Sequence, residues 1–219
     1  MVLKINSINL KRNNRLLFHN FSLNLKKSQI MVLKGENGIG KSSLLNSIIG
    51  LVKISSGKIL INNVDSLKIT NQSSKDFFFL GHDNCLKENL TVIENLKIWL
   101  NLIDFNISDR KIIEKLKYFR MNNLFDHQVR KLSHGQRRKV ALSKLLFINS
   151  ILWILDEPTN SLDYESEILF LDLINKHKKK GGAVILSSHF SFKKQNYEIL
   201  NLKRPKKNII NKTDTWANL

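Results

Sequence analysis

The stretch Gly35-Glu36-Asn37-Gly38-Ile39-Gly40-Lys41-Ser42 constrains this chain more than any other. It fits G-x-x-x-x-G-K-[ST], a pattern that belongs between the end of a strand and the start of a helix. Both flanks comply. The apolar run Ile30-Met31-Val32-Leu33 before it is short enough for a buried strand. Ser43-Leu44-Leu45-Asn46-Ser47-Ile48-Ile49-Gly50 after it has apolar residues at helical spacing and a glycine stop. Glycines at 35, 38 and 40 let the backbone curl so that successive N–H groups converge on phosphate oxygens. The helix opening near Lys41 adds the positive end of its dipole. In this reading Lys41 reaches the β- and γ-phosphates of a nucleotide and the Ser42 hydroxyl ligates Mg²⁺. The plain alternative, a glycine-rich turn before a helix, does not account for so complete a match in this context.

A chain of 219 residues, 42% hydrophobic and 25% charged, can bury a core as one domain or as one domain with an inserted subdomain. Two prolines and nine glycines leave little room for long linkers, and no repeat is visible. The net charge of +18 suits a nucleic acid, an anionic membrane surface or an acidic partner. It equally suits codon bias, since Lys, Asn, Ile and Phe are spread along the chain and basic clusters occur only at 178–180, 193–194 and 203–207. A single cysteine, Cys85, excludes an intramolecular disulfide and a CxxC metal site. No apolar run is long enough to span a membrane. The N-terminus alternates like a strand and has the features of neither a signal peptide nor a transit helix.

Taken in order, residues 2–10 and 16–25 read as two strands joined by the polar turn Lys11-Arg12-Asn13-Asn14. Lys58-Ile59-Leu60-Ile61 is a further strand, with Asn62-Asn63 as a hairpin-like turn. Residues 66–76 are irregular, and Phe77-Phe78-Phe79-Leu80 is a short buried strand. From Thr91 the period becomes helical, and Thr91 with Glu94 makes a capping-box pair. Further helices are expected over about 109–119 and 135–147, while 120–131 shows no clear period. Strand 151–155 runs into Asp156-Glu157-Pro158, helix 164–179 leads to strand 183–186, and a last strand covers 197–202. Strands alternating with helices imply a parallel-rich sheet covered on both faces. The expected organisation is one domain over 1–203, a helical subdomain over about 90–148, and a polar tail at 204–219.

Asp156-Glu157 closes an all-apolar strand, and a parallel strand delivers such carboxylates to the sheet edge where ligands bind. There Asp156 can hold Mg²⁺ through its water shell, and Glu157 can polarise water for in-line attack on a γ-phosphoryl group. The pair can also simply cap the next helix. Leu132-Ser133-His134-Gly135-Gln136 opens the helix carrying Arg137, Arg138 and Lys139, and makes a second anion site. Two such sites are reconciled most simply by a dimer in which this one covers nucleotide bound to the partner chain.

The set G-x-x-G-x-G-K-S, L-S-x-G-Q, a strand ending D-E-P, then S-L-D, then a lone histidine spans about residues 2–202. In that order it resembles the nucleotide-binding subunits of ABC transporters. The resemblance implies an α/β fold of P-loop NTPase type, with a RecA-like mixed sheet core, an antiparallel β subdomain and an inserted helical subdomain. It implies ATP and Mg²⁺, with Gly35 to Ser43 around the nucleotide, Ser42 and Asp156 on the metal and Glu157 as the base. It also implies a homodimer in which Ser133, Gly135 and Gln136 close over the partner's nucleotide and Ser161-Leu162-Asp163 crosses the interface. His189 would contact the γ-phosphate; alone, it reads as a structural histidine.

Within that superfamily, Phe79-Leu80-Gly81-His82-Asp83-Asn84-Cys85-Leu86-Lys87-Glu88-Asn89-Leu90-Thr91-Val92-Ile93-Glu94-Asn95-Leu96 is similar to a stretch of the CcmA family. These are the ATP-binding subunits of the cytochrome c maturation exporter. I-L-W-I-L-D-E-P and H-K-K-K-G-G-A-V-I-L-S-S-H are also close to that family. The similarity implies a CcmB-like integral membrane partner, other cytochrome c maturation proteins, and ATP-driven haem delivery through a chaperone, with no specific nucleic acid. It places the chain peripherally on the ATP-containing side of a membrane. That is the matrix face of the mitochondrial inner membrane, for which the codon bias speaks, or the cytoplasmic face of a bacterial inner membrane. A soluble ABC ATPase acting on ribosomes or DNA is the alternative, although such proteins usually carry two ATPase halves or long coiled-coil insertions.

Three positions depart from the wider pattern. His82 or Asp83 falls where most ABC subunits have a metal-linking Gln, and either can ligate metal or water. His134 replaces a signature glycine. Arg12 falls near the place of the aromatic that stacks on adenine; its guanidinium can stack on a base, or it is an exposed turn residue.

Overall fold

The computed structural model describes residues 1–13, 15–69, 76–188 and 197–205. Alternating apolar positions build a first, antiparallel sheet from β1 (Leu3–Arg12) and β2 (Arg15–Leu25), with β4 (Ser56–Ile61) and β5 (Val64–Asp65) on its other side, in the order β2-β1-β4-β5. The turn between β4 and β5 puts Asn62 and Asn63 at φ 51° and 66°, a left-handed conformation that asparagine tolerates and that suits a two-residue hairpin. Between these strands come β3 (Ile30–Lys34) and α1 (Lys41–Ile48).

β3 belongs to a second sheet with β6 (Phe77–Leu80), β7 (Leu152–Asp156), β8 (Ala183–Ser187) and β9 (Glu198–Asn201), in the order β6-β7-β8-β3-β9. Every pairing in it is parallel. Among the described residues the core sheet is thus parallel, and beside it stands the antiparallel β subdomain that the resemblance implied. The uninterrupted apolar runs of β3, β7 and β8 follow from burial on both faces. Along β7, Leu152 and Ile154 point into one core with Met31, Leu33 and the residues of α1 and the antiparallel sheet. Trp153 and Leu155 point into the other, with Val32, Val184 and the helices on the opposite side. One strand thus supplies two cores by its period of two.

The expected helical block between β6 and β7 contains α2 (Val92–Leu102), α3 (Asp109–Leu116) and α4 (His134–Ser143). The Thr91–Glu94 capping box forms in both directions, with Glu94 N–H donating to Thr91 Oγ1 at 3.3 Å and Thr91 N–H to Glu94 Oε2 at 2.8 Å. The helices expected over 109–119 and 135–147 end early as α-helices, at Leu116 and Ser143, and each tightens into a 3₁₀ turn, Lys117–Phe119 and Lys144–Leu146. The unperiodic 120–131 stretch holds two more 3₁₀ turns, Asn122–Leu124 and Val129–Lys131. α5 (Tyr164–Lys179) fills the expected span. The expected polar tail lies outside the described residues beyond Pro205.

The last turn of α5 sets His177 flat against Trp153 of β7, ring centroids 3.8 Å apart and planes 7° from parallel. Burial first, with a smaller push from Lys180, pulls the imidazole down from 6.5 to about 4, so the folded chain holds it neutral while the unfolded chain protonates it below 6.5. The unfolded state therefore binds more protons across that window, and this contribution to stability is lost as pH falls from 6.5 to about 4. Thermal unfolding midpoints of the wild type should drop across this range. His177→Phe, which keeps a ring on Trp153, should flatten that part of the profile; an unchanged profile would remove His177 as its source.

Candidate active site

Parallel pairing brings the carboxyl ends of β3, β7 and β8 to one edge, and the chain leaves that edge at Gly35, Glu157 and Ser188. Gly35, Gly38 and Gly40 take φ of 157°, 74° and 111°. The last two are left-handed, and Gly40 is the N-cap of α1, so the loop turns directly into the helix without a side-chain cap. Lys41, 7% exposed, turns back under the loop. Its Nζ donates to Gly35 O at 2.9 Å and Glu36 O at 3.4 Å and lies 4.0 Å from Glu157 Oε1.

These elements wall a cleft of about 730 Å³. Asn37, Gly38, Gly40, Lys41, Ser42 and Ser43 line it from one side and Glu157 from the other. Arg12, at the end of β1, reaches it, as does His82. A smaller cavity of about 500 Å³ shares Arg12, Ser42 and His82 with it and adds Asp83 and Asp156. Both candidates for the missing glutamine thus lie at the site, His82 at the main cleft and Asp83 in the neighbouring cavity. Thr159, Asn160, Glu167 and Ser188 also line the cleft. They were not legible as site residues, because a turn and a helix face bring them in. His189 lies outside the described residues.

Asp156 is buried, and its Oδ1 accepts from Ser187 Oγ at 2.6 Å; the same hydroxyl oxygen accepts from Glu157 N–H at 2.9 Å. The hydrogen bond from its N–H to this serine helps hold Glu157 at φ 48°, a left-handed conformation that costs a non-glycine residue about 1 kcal/mol or more. The even reading of Asp156-Glu157 as a helix cap is settled by geometry: the N-cap of α5 is Asp163, whose Oδ1 accepts from Ser166 N–H at 2.8 Å. Hydrogen bonds from Lys139 and Ser166 hold the Asp163 carboxyl down at about 2.

Ser133, Gly135 and Gln136 do not line the cleft of their own chain. They open α4, where Ser133 Oγ accepts from Gln136 N–H at 3.2 Å and Gln136 Oε1 from Ser133 N–H at 2.9 Å. Gly135 is required by contact, since a Cβ there would stand 2.6 Å from Ser161 O. The serine-glycine opening of α4 thus packs on the Ser161-Leu162-Asp163 turn, and Lys139 Nζ bonds Asp163 Oδ2 at 2.7 Å. Arg138, which the sequence offered only as one of three basic residues, is 4% exposed. Burial pulls its guanidinium down to about 10, against the opposing pull of Asp156 and Glu157.

The site can take a polyphosphate: loop N–H groups and a buried lysine on one side, a carboxylate across a cleft of nucleotide dimensions on the other. Among the described residues there is no group of three or more His, Cys, Asp or Glu able to hold a metal by themselves. Ser42 and Asp156 line one cavity, a hydroxyl and a carboxylate of the donor types that Mg²⁺ takes together with waters and substrate phosphates.

The pattern described as ABC transporter matches residues 18–160. The chain is 35% identical over 203 residues to the cytochrome c biogenesis ATP-binding export protein CcmA of Reclinomonas americana, covering 91% of this chain and 90% of that one. It is 37% identical to the protein of the same description from Rickettsia bellii, covering 85% and 92%. Among solved structures, a putative ABC transporter ATP-binding protein from Pyrococcus furiosus superposes with a TM-score of 0.80 at 25% identity, covering 92% of this chain and 98% of that one. The ATP-binding cassette MJ0796, a dimer in a post-hydrolysis state with ADP and Pi, gives 0.81 at 25% identity, covering 92% and 94%. The chain belongs to the ATP-binding family of ABC transporters, and within it to the CcmA family of ATP-hydrolysing subunits.

Proposed function

We propose that this chain is the ATP-hydrolysing subunit of an ABC export complex for cytochrome c biogenesis. In this reading it pairs with a CcmB-like integral membrane subunit, and its hydrolysis advances haem delivery to the chaperone. The observation that carries the reading is the cleft between the 35–43 loop and Glu157, in a chain whose CcmA relatives match it over nine-tenths of their length. No helix among the described residues is long and apolar enough to cross a membrane. We place the chain on the ATP-containing face, in a mitochondrion or a bacterium. The ribosome- or DNA-directed alternative gains nothing from these relatives.

These roles rest on the motifs and, for the described residues, are supported by the lining of the two cavities. Loop N–H groups and Lys41 hold the β- and γ-phosphates. Mg²⁺, held by Ser42 and through water by Asp156, would neutralise charge on the phosphate oxygens. Glu157 accepts hydrogen-bonded water and orients it for in-line attack. Arg12 offers a planar cation to the adenine, and His82 or Asp83 would serve the metal or its water where most ABC subunits use a Gln. Asp163 acts at the interface and His189 at the γ-phosphate. Two chains close head to tail, each laying Ser133, Gly135 and Gln136 over the other's nucleotide, which fits the dimeric form of a structural relative.

Lys41→Ala should abolish ATP binding, read by a fluorescent ATP analogue. Glu157→Gln should bind ATP at wild-type affinity, lose at least about 100-fold in turnover, and run as a dimer on size-exclusion chromatography with ATP. Normal turnover by Glu157→Gln would remove it as the base. In detergent extracts a multi-span membrane protein should co-purify with the chain and detach from it less readily at low salt than at high salt; ribosomal RNA in its place would support the rejected alternative.

A further inference from the structure

Glu157 has its backbone N–H bound to Ser187 and its φ in the left-handed region, so something must also fix the chain on its carbonyl side. That hold comes from Arg138. Its Nη2 donates to Asp156 O at 2.8 Å and Glu157 O at 2.9 Å, and its Nε to Pro158 O at 3.1 Å. Its Nη1 turns the other way, to Gly81 O and Asn84 Oδ1, each at 3.1 Å, and to His82 O at 3.4 Å. Three consecutive carbonyls, from the last residue of β7 onward, and the segment past β6 therefore hang from one guanidinium.

A buried cation without a carboxylate directly bonded to it is expensive, and it persists here because each end of its guanidinium meets carbonyl or amide oxygens of a loop end. The planar fork of arginine reaches both loops at once, whereas the three N–H groups of a lysine radiate from one point. Arg138 lies one turn beyond Gly135, and the next residue, Lys139, bonds Asp163. The first two turns of α4 thus carry the surface that faces a second chain at one end and grip the base-bearing loop at the other.

We propose that Arg138 is a positioning residue for hydrolysis: with Ser187 it pins the backbone of Glu157 from both sides and ties its carboxylate to the position of α4. This rests on Glu157 being the base. Through α4, closure of a second chain over Ser133 and Gly135 is transmitted to the base of the same chain, and the 81–84 segment moves with it. Nucleotide affinity is set elsewhere, because Arg138 makes no bond to the 35–43 loop.

The test is steady-state ATP hydrolysis by full-length Arg138→Lys, Arg138→Gln and Ser187→Ala, alongside binding of a fluorescent ATP analogue. Each variant should lose at least about tenfold in kcat with KM and analogue affinity within about twofold of wild type. Arg138→Lys with Ser187→Ala should lose less than the product of the two single losses, because both act on one backbone segment. Wild-type kcat in the Arg138 variants, or equal losses of kcat and affinity, would overturn the proposal. Failure of both Arg138 variants to fold would assign the residue to stability alone and overturn it too. Glu157→Gln run in parallel separates the premises: if it turns over normally the base assignment fails, whereas if it is dead and Arg138→Lys is normal only the role of Arg138 fails.

Discussion

The register between β7 and β8 is what the site depends on. It sets Asp156 opposite Ser187, and the Ser187 hydroxyl then binds the Asp156 carboxylate and the Glu157 N–H together. A slip of one residue would turn both side chains to the opposite face. The slip is prevented by burial on two sides: Leu152 and Ile154 belong to one core, Trp153 and Leu155 to the other, and neither set can be exchanged for the other without exposing apolar surface. Packing thus fixes where the acidic pair emerges, and β3 beside β8 fixes where the phosphate-type loop stands relative to it.

Much of this was legible from residue order. The loop at 35–42, the acidic pair after an apolar run, and the serine-glycine opening of α4 each carry their chemistry in a short stretch, so local pattern was enough to find them. The helix with a capping box at Thr91 was legible for the same reason, whereas the box between Ser133 and Gln136 was not read. The boundaries of α3 and α4 were not, because the apolar period continues through a 3₁₀ turn and periodicity cannot tell the two geometries apart.

What stayed hidden depends on contacts between distant segments. Ser187 fell one position past the expected strand 183–186, and Arg138 was one of three basic residues on a helix. Only the folded chain shows that the first holds Asp156 and the second fills a gap between two loop ends. His177 and Trp153 stack although 24 positions separate them, and neither type of residue announces such a pairing. The division of strand polarity between two sheets came from the family resemblance, since apolar runs and alternation say which faces are buried and not which way a neighbour runs.

One chain therefore holds a cleft with a phosphate-type loop, a carboxylate pinned across from it, and a helix opening that its own cleft does not use. A second copy joins these. A crystal structure of the Glu157→Gln chain with ATP and Mg²⁺ measures that most directly. The β- and γ-phosphates should lie within hydrogen-bond distance of the 35–42 N–H groups and Lys41, with the Ser133-Gly135 opening of a second chain across the γ-phosphate. Nucleotide bound away from that loop, or bound there with no second chain across it, would contradict it.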